Sequence, residues 1–354
     1  MWQSALPVLT GIRVLDLSLQ LPGPYATRLL ADMGAEVHRI EPPGGDPARA
    51  FPSLYTEVNA GKKVQEVDLK SDSGRRRVLD LARECDVLVE GFRPGVLARL
   101  GLSYEVVAQT NPGVIYCSIS GYGQDGERAG KPGHDLTYHA DAGTLAQNGP
   151  CAAIVPPLPI ADLASGLMAA TTINAALVGR ATSGEGAHLD VSMADVMASW
   201  TFPVALPRAA GEVDLFGSTP HYGVFDTADG HRIALGIVHE QHFWERFCDE
   251  FGLADERSST FEGRQQDHQR LRHRLETLFA GLPAADVIAR TTRVDVPAAM
   301  VLRPEDVLDS APFQHRGLIR SSGFGARYAH PVRFATASAD AALGGDSSTT
   351  GVTT

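Results

Sequence analysis

The sequence predicts an α/β protein, an open parallel-sheet domain followed by a smaller α+β domain. Three observations predict it. From the N-terminus to Trp200, short apolar runs alternate with stretches of helical spacing, as in strand–helix–strand units. After Trp200 that alternation gives way to a stretch with Pro and Gly and then to a hairpin signal. The chain has 354 residues, 44% of them hydrophobic, enough to bury two sizeable cores.

Ile12 to Leu17 (IRVLDL) reads as a buried strand. Leu21-Pro22-Gly23-Pro24 turns the chain, and Ala26, Leu29, Leu30 and Met33 give Tyr25 to Met33 helical spacing. Gly34 stops that helix before the strand Glu36 to Glu41. This unit invites a dinucleotide reading with Glu41 on a ribose, but there is no GxGxxG turn, and Pro22 and Pro24 remove donors from the place a pyrophosphate would occupy. Val64 to Leu69 continues as a strand, Ser71 to Glu84 as a helix, Asp86 to Glu90 as a strand, Pro94 to Leu100 as a short helix and Val114 to Ile119 as a strand. Asp162 to Arg180 is a long Ala-rich helix in which Gly166 permits close approach of another backbone, and His188 to Met193 alternates like a strand. Residues 1–205 thus form the large domain, completed by 303–354, and 206–218 a linker. Residues 219–302 form the small domain, with a hairpin about Ala228-Asp229-Gly230 and helices near Glu240 to Phe251, His268 to Ala280 and Ala284 to Arg290. The tail from Ser338 is small and polar.

A formal net charge of −11 argues against a nucleic-acid surface. No secretory signal precedes Leu17, and the longest apolar run, Leu167 to Val178, is broken by Thr171, Thr172 and Asn174, so no membrane partner is expected. The four cysteines are scattered without a CxxC pair, which fits reduced thiols in a cytoplasmic protein. No cluster of metal-ligand spacing and no lysine motif for pyridoxal phosphate is seen, so no metal and no permanently bound cofactor is expected.

The stretch with most chemistry runs from Gly130 to Gly166: GKPGHDLTYHADAG, a turn-rich spacer, then PPLPIADLASG. His134 enters a helix from a Gly-Pro loop, and Asp162 stands at the start of a second helix. A proton donor and acceptor presented this way suit acid–base chemistry on a small substrate. Taken alone, the pair reads rather as a loop residue and an ordinary helix cap, since Asp is common at that position.

Ordered motifs add to this: GIRVLDLS, PGPYATRLLADMGAEVHRIEPPGGD, GKKVQEVDLKSDSG, DVLVEGFRPGVLARLGLSYE, NPGVIYCSISGYGQDG, PGHDLTY, PPLPIADLASG, GEGAHLDVSMAD and YGVFDTADGHRIAL. Through them the chain resembles the class III CoA-transferase and α-methylacyl-CoA racemase family over nearly its whole length. The resemblance implies a Rossmann-like large domain built from both chain ends and a small domain between them. It also implies an interlocked-ring homodimer, and an acyl thioester of coenzyme A as substrate, with coenzyme A entering only as part of that substrate.

The resemblance implies that His134 and Asp162 are the racemase acid–base pair, one on each face of an enolate. It places a glutamate partner of the histidine at Glu240, or at His239 if the segment is counted from Gly236. It puts Arg93, Arg99, Lys62 and Lys63 near the nucleotide, with Gly133 and Tyr138 in the site motif. Pro42 stands where many racemases carry a basic residue, so one phosphate contact is either missing or supplied by Arg39. In the transferase branch the aspartate is instead a nucleophile that forms a mixed anhydride and then a CoA thioester. His134, and a segment Phe216 to Tyr222 without consecutive glycines, favour the racemase, a 2-methylacyl-CoA epimerase, with CoA transfer through Asp162 as the alternative. A catalytically silent CoA-binding subunit is disfavoured because both residues are present.

Overall fold

A computed structural model describes residues 7–145, 157–212, 219–322 and 325–334; Cys151, residues 213–218 and the tail from Ser338 lie outside them. Two compact units divide the chain, one running to Thr201 and resuming at Ala311, the other spanning Phe202–Ser310.

The first unit is built on six parallel strands, β1 (Arg13–Asp16), β2 (Glu36–Glu41), β3 (Lys63–Glu66), β4 (Val87–Glu90), β5 (Ile115–Ser120) and β6 (Ala187–Ser192), in the order β3-β2-β1-β4-β5-β6. Helices cover both faces because side chains alternate along each strand. Val14, Val37, Val87, Val89, Ile115, Cys117 and Ile119 pack against α1 (Pro22–Asp32) and α7 (Ile160–Ser183). The opposite face, with Leu15, Ile40, Leu88 and Tyr116, packs against residues of α3 (Asp72–Glu84), α4 (Val96–Arg99) and α5 (Tyr104–Thr110). Helix α2 (Pro52–Asn59) and a 3₁₀ turn, Pro47–Ala50, lie between β2 and β3. The predicted third strand is shorter than its apolar run, and all four of its residues are exposed, as an edge strand allows.

Helix α7 has the length and apolar character of a membrane span, but Ala164, Ala169, Ala170, Ile173 and Leu177 fill the sheet core instead. Gly166 does permit close approach: a Cβ there would lie 2.6 Å from Pro22 O on α1. Between β5 and α7 lies α6 (Asp135–Asp141), and α8 (Met193–Ser199) follows β6. The chain returns through α14 (Ala311–His315) and the hairpin β10 (Ile319–Ser322) with β11 (Gly325–Tyr328). Arg28 Nη2 donates to Tyr328 O at 2.9 Å and ties that return to α1.

In the second unit, α9 (Phe202–Ala209) runs from the end of the expected large domain into the start of the expected linker, 206–209 being helical. An antiparallel sheet joins β7 (Tyr222–Asp226), β8 (Arg232–Gly236) and β9 (Ala298–Met300). It packs on α10 (Gln241–Phe251), α12 (His268–Ala280) and α13 (Ala284–Arg293) through Phe225, Trp244, Phe247, Leu275, Phe279 and Val287. The sequence reading missed α11 (Phe261–Gln266), a short polar helix capped by Thr260.

Candidate active site

The strand order reverses direction between β1 and β4, so the loops leaving their carboxyl ends part and leave a crevice. A cavity of about 330 Å³ occupies that position, walled by Ser18–Gln20 after β1, Gly91–Pro94 after β4 and Ser120–Gly121 after β5. Gly133, His134, Tyr138, Asp162 and Arg93 all line it. The topology therefore brings together five of the residues singled out from the sequence.

Asp162 is the third residue of α7, not its cap. Burial, and then the nearby charge of Asp135, raise its carboxyl from 3.8 to about 7. Among the described residues it is the only acidic side chain lining the cavity, against Arg93, Lys131 and His134. Tyr138 is buried between two glycines; a Cβ on Gly133 would come within 2.5 Å of its ring and one on Gly121 within 2.7 Å of its hydroxyl. Burial pushes its phenol up to about 12, with the charge of Asp162 adding to the shift, so it remains a hydrogen-bond donor through the neutral range. His134 precedes α6, where its N–H donates to Thr137 Oγ1 at 3.0 Å and Thr137 Oγ1 donates back to its carbonyl at 2.7 Å.

Two residues of this site were not foreseen. Asp135 Oδ1 accepts the N–H groups of Ala161 at 2.7 Å and Asp162 at 3.3 Å, capping α7 from another helix. The legible signal was that α7 begins after Leu158-Pro159 with no capping side chain of its own. Gln20 sits at φ 65°, a left-handed conformation that costs a non-glycine residue energy. Asp46 holds it there, accepting its N–H at 3.0 and 3.2 Å.

Asp46 belongs to a buried charge network under the site, and this corrects two expectations. Arg39, proposed for a phosphate, has no exposed side-chain surface; it pairs with Asp16 and Glu41, each at 3.1 Å, and with Asp46. Lys62 is equally buried, its Nζ meeting Asp16 Oδ2, Pro24 O, Thr27 Oγ1 and Asn59 Oδ1 at 2.7–3.2 Å. Groups so enclosed and engaged have no face to offer a ligand. Burial alone would raise Asp16, but Lys62 and Arg39 beside it hold it at about 2. Burial lowers Lys62 to about 8 against the pull of Asp16. Lys63 is exposed and pairs with Glu36 across the sheet edge, among residues that line neither cavity described here. Glu240, the expected partner of His134, belongs to the second unit, where its Oε2 accepts the N–H of Val238 at 2.9 Å.

Arg93 and Arg99 share one motif but line different cavities. Arg99 lines a neighbouring space of about 510 Å³ with Leu17, Ile40, Val67, Lys70 and Val96; Leu19 and Phe92 border both cavities. The turn leading into Arg93 is held by the buried Glu90, whose Oε2 accepts the N–H of Phe92 at 2.7 Å.

Residues 9–342 match the family model of CoA-transferase family III. Over 332 residues the chain is 33% identical to succinyl-CoA:glutarate CoA-transferase of Mus musculus, covering 88% of this chain and 76% of that one. It is 31% identical over 352 residues to acetyl-CoA:oxalate CoA-transferase of Acetobacter aceti, covering 91% and 88%. Among solved structures, the protein Rv3272 of Mycobacterium tuberculosis superposes with a TM-score of 0.84 at 30% identity, covering 92% of each chain. A CAIB/BAIF family protein of Brucella suis gives 0.81 at 28% identity, again covering 92% of each.

Proposed function

Because the chain belongs to CoA-transferase family III, we propose that it moves coenzyme A from an acyl-CoA to a free carboxylic acid, with Asp162 as the group that carries it. This reverses the order of the two readings drawn from the sequence. The relatives named above are CoA-transferases, and their names support the transferase over the racemase. The observation that carries the reading is the placement of a half-buried carboxylate, Asp162, among basic side chains lining a cavity at the switch point of a parallel sheet.

The steps balance as follows. Asp162 attacks the thioester carbonyl and expels the CoA thiolate, leaving an acyl–aspartyl anhydride. The thiolate attacks the aspartyl carbonyl, releasing the first carboxylate and leaving an aspartyl-CoA thioester. An acceptor carboxylate displaces the thiolate to form a second anhydride, and the thiolate takes its acyl group, restoring Asp162. Each tetrahedral intermediate needs donors, and Tyr138, whose phenol stays protonated, lines the same cavity together with Gln20. Attack requires the ionised carboxylate, so kcat/KM should rise with pH through about 7, the midpoint set by burial of Asp162.

The acyl groups are short dicarboxylic acids in this reading. The two relatives act, by name, on glutarate and oxalate, and Arg93 and Lys131 line the same cavity as Asp162. Arg99 serves the CoA moiety in the adjoining cavity. Arg93→Ala should then reduce kcat/KM for a dicarboxylate acceptor by about 10- to 100-fold, the value of one charge-assisted hydrogen bond, and leave a monocarboxylate acceptor little changed. Arg99→Ala should weaken acyl-CoA binding by about 1.5–3 kcal/mol with either acceptor. Steady-state kinetics and calorimetric titration would check the pair; equal losses from both variants on both measures would refute the division of labour.

The function itself is tested by supplying one acyl-CoA with and without free carboxylates in deuterated water. Transfer to the acceptor without α-deuterium in the acyl group is expected. Acceptor-independent α-exchange would restore the racemase.

A further inference from the structure

His139 lies on α6 one turn beyond Asp135 and is 3% exposed. Its Nδ1 is 2.7 Å from Thr144 Oγ1, while that hydroxyl is 3.0 Å from the carbonyl of His139 itself. A threonine hydroxyl has one hydrogen. Spent on the carbonyl, it leaves the oxygen to accept, so Nδ1 is the donor. The other ring nitrogen, Nε2, is buried without a hydrogen-bond partner and stands 3.5 Å from Asp135 Oδ2. A bare lone pair there would face a carboxylate; a proton on Nε2 turns the contact into an ion pair. The second oxygen of Asp135 is the one that caps α7 at Ala161 and Asp162. Asp135 therefore stands between a buried imidazole and the nucleophile.

We propose that His139 is a positioning residue of the transfer reaction, holding a proton between its Nε2 and Asp135 so that Asp162 ionises beside a neutral pair and not beside a bare anion. The proposal rests on the reading of Asp162 as the carrier. The neighbours of Asp162 leave this role to the pair. Arg93, Lys131 and His134 come from exposed loops lining the cavity, Tyr138 of α6 stays neutral, and Tyr25 is the titratable group of α1 that packs near Gly166.

Ring ¹⁵N NMR of the full-length protein reads the proton directly. His139, assigned by loss of its signals in His139→Gln, should carry hydrogen on both nitrogens at pH 7; an unprotonated Nε2 would overturn the proposal. Carboxyl ¹³C titration of aspartate-labelled protein then follows Asp162, identified by the signal missing in Asp162→Asn. His139→Gln should move that midpoint upward by on the order of one pH unit, Asp135→Asn should move it downward, and the double variant should cancel most of the His139 effect. The acid limb of kcat/KM should move with the midpoint, while KM at high pH stays within about twofold. A lower Tm with no shift of midpoint would make His139 a packing residue and refute the role. Both titrations are read without turnover, so a chain that failed to transfer CoA would contradict the proposed function and leave these results standing.

Discussion

Asp162→Asn is expected to abolish CoA transfer, by a factor of about 10⁴ or more, and at the same time to make the protein more stable above pH 7. Both effects have one cause. An amide cannot form the anhydride, since it is neither anionic nor nucleophilic at the required oxygen. The stability follows from linkage. Burial raises the Asp162 carboxyl from 3.8 to about 7 in the fold, so the folded state binds its proton more tightly than the unfolded chain. Stability from that group is present at low pH and is lost as pH rises from 3.8 through 7. Above 7 the native enzyme therefore carries a penalty of up to about 4 kcal/mol that asparagine removes. Thermal melts at pH 3.5 and pH 8.5 should show a gain in Tm for the variant at pH 8.5 and little gain at pH 3.5. A variant destabilised equally at both would mean that Asp162 is not held against its own ionisation.

Arg39→Met should be the most destabilising single change in the first unit, at about 3–5 kcal/mol. The loss does not come from removing an attraction alone. Asp16, Glu41 and Asp46 all meet the Arg39 guanidinium, and its removal leaves buried carboxylates with too little positive charge. Asp16 is held at about 2, below its ordinary 3.8, by Lys62 and Arg39 acting against burial. Its contribution is full above 3.8 and fades as pH falls toward 2, so the variant should lose less, relative to wild type, at pH 3 than at pH 7. Urea unfolding at the two values checks this. The cost should reach activity, because Asp46 also holds Gln20 in its left-handed conformation beside the cavity.

The parallel sheet was legible because each strand is a short apolar run bounded by turn residues. The site motif was legible because His134 and Asp162 sit in recognisable surroundings at two helix entries. What the sequence could not show was which cations are free. Arg39, Lys62, Arg93 and Arg99 are alike as letters, yet two are enclosed by carboxylates and carbonyls while two line cavities. Residue type reports charge, and only packing reports who neutralises it. Asp135 was passed over for a related reason: it caps a helix 26 residues further on, and no local pattern encodes a partner that distant. The short helices α5 and α11 carry too few turns to impose a period.

A carboxylate, and not a two-base pair, would then do the chemistry, and a trap for its acylated form decides between them. The enzyme is quenched with hydroxylamine during turnover of an acyl-CoA and the modified peptide is sequenced by mass spectrometry. A hydroxamate on Asp162 is expected, formed only when acyl-CoA is present and absent from Asp162→Asn. An unmodified Asp162 in an enzyme that exchanges the α-hydrogen of its substrate with solvent would contradict it.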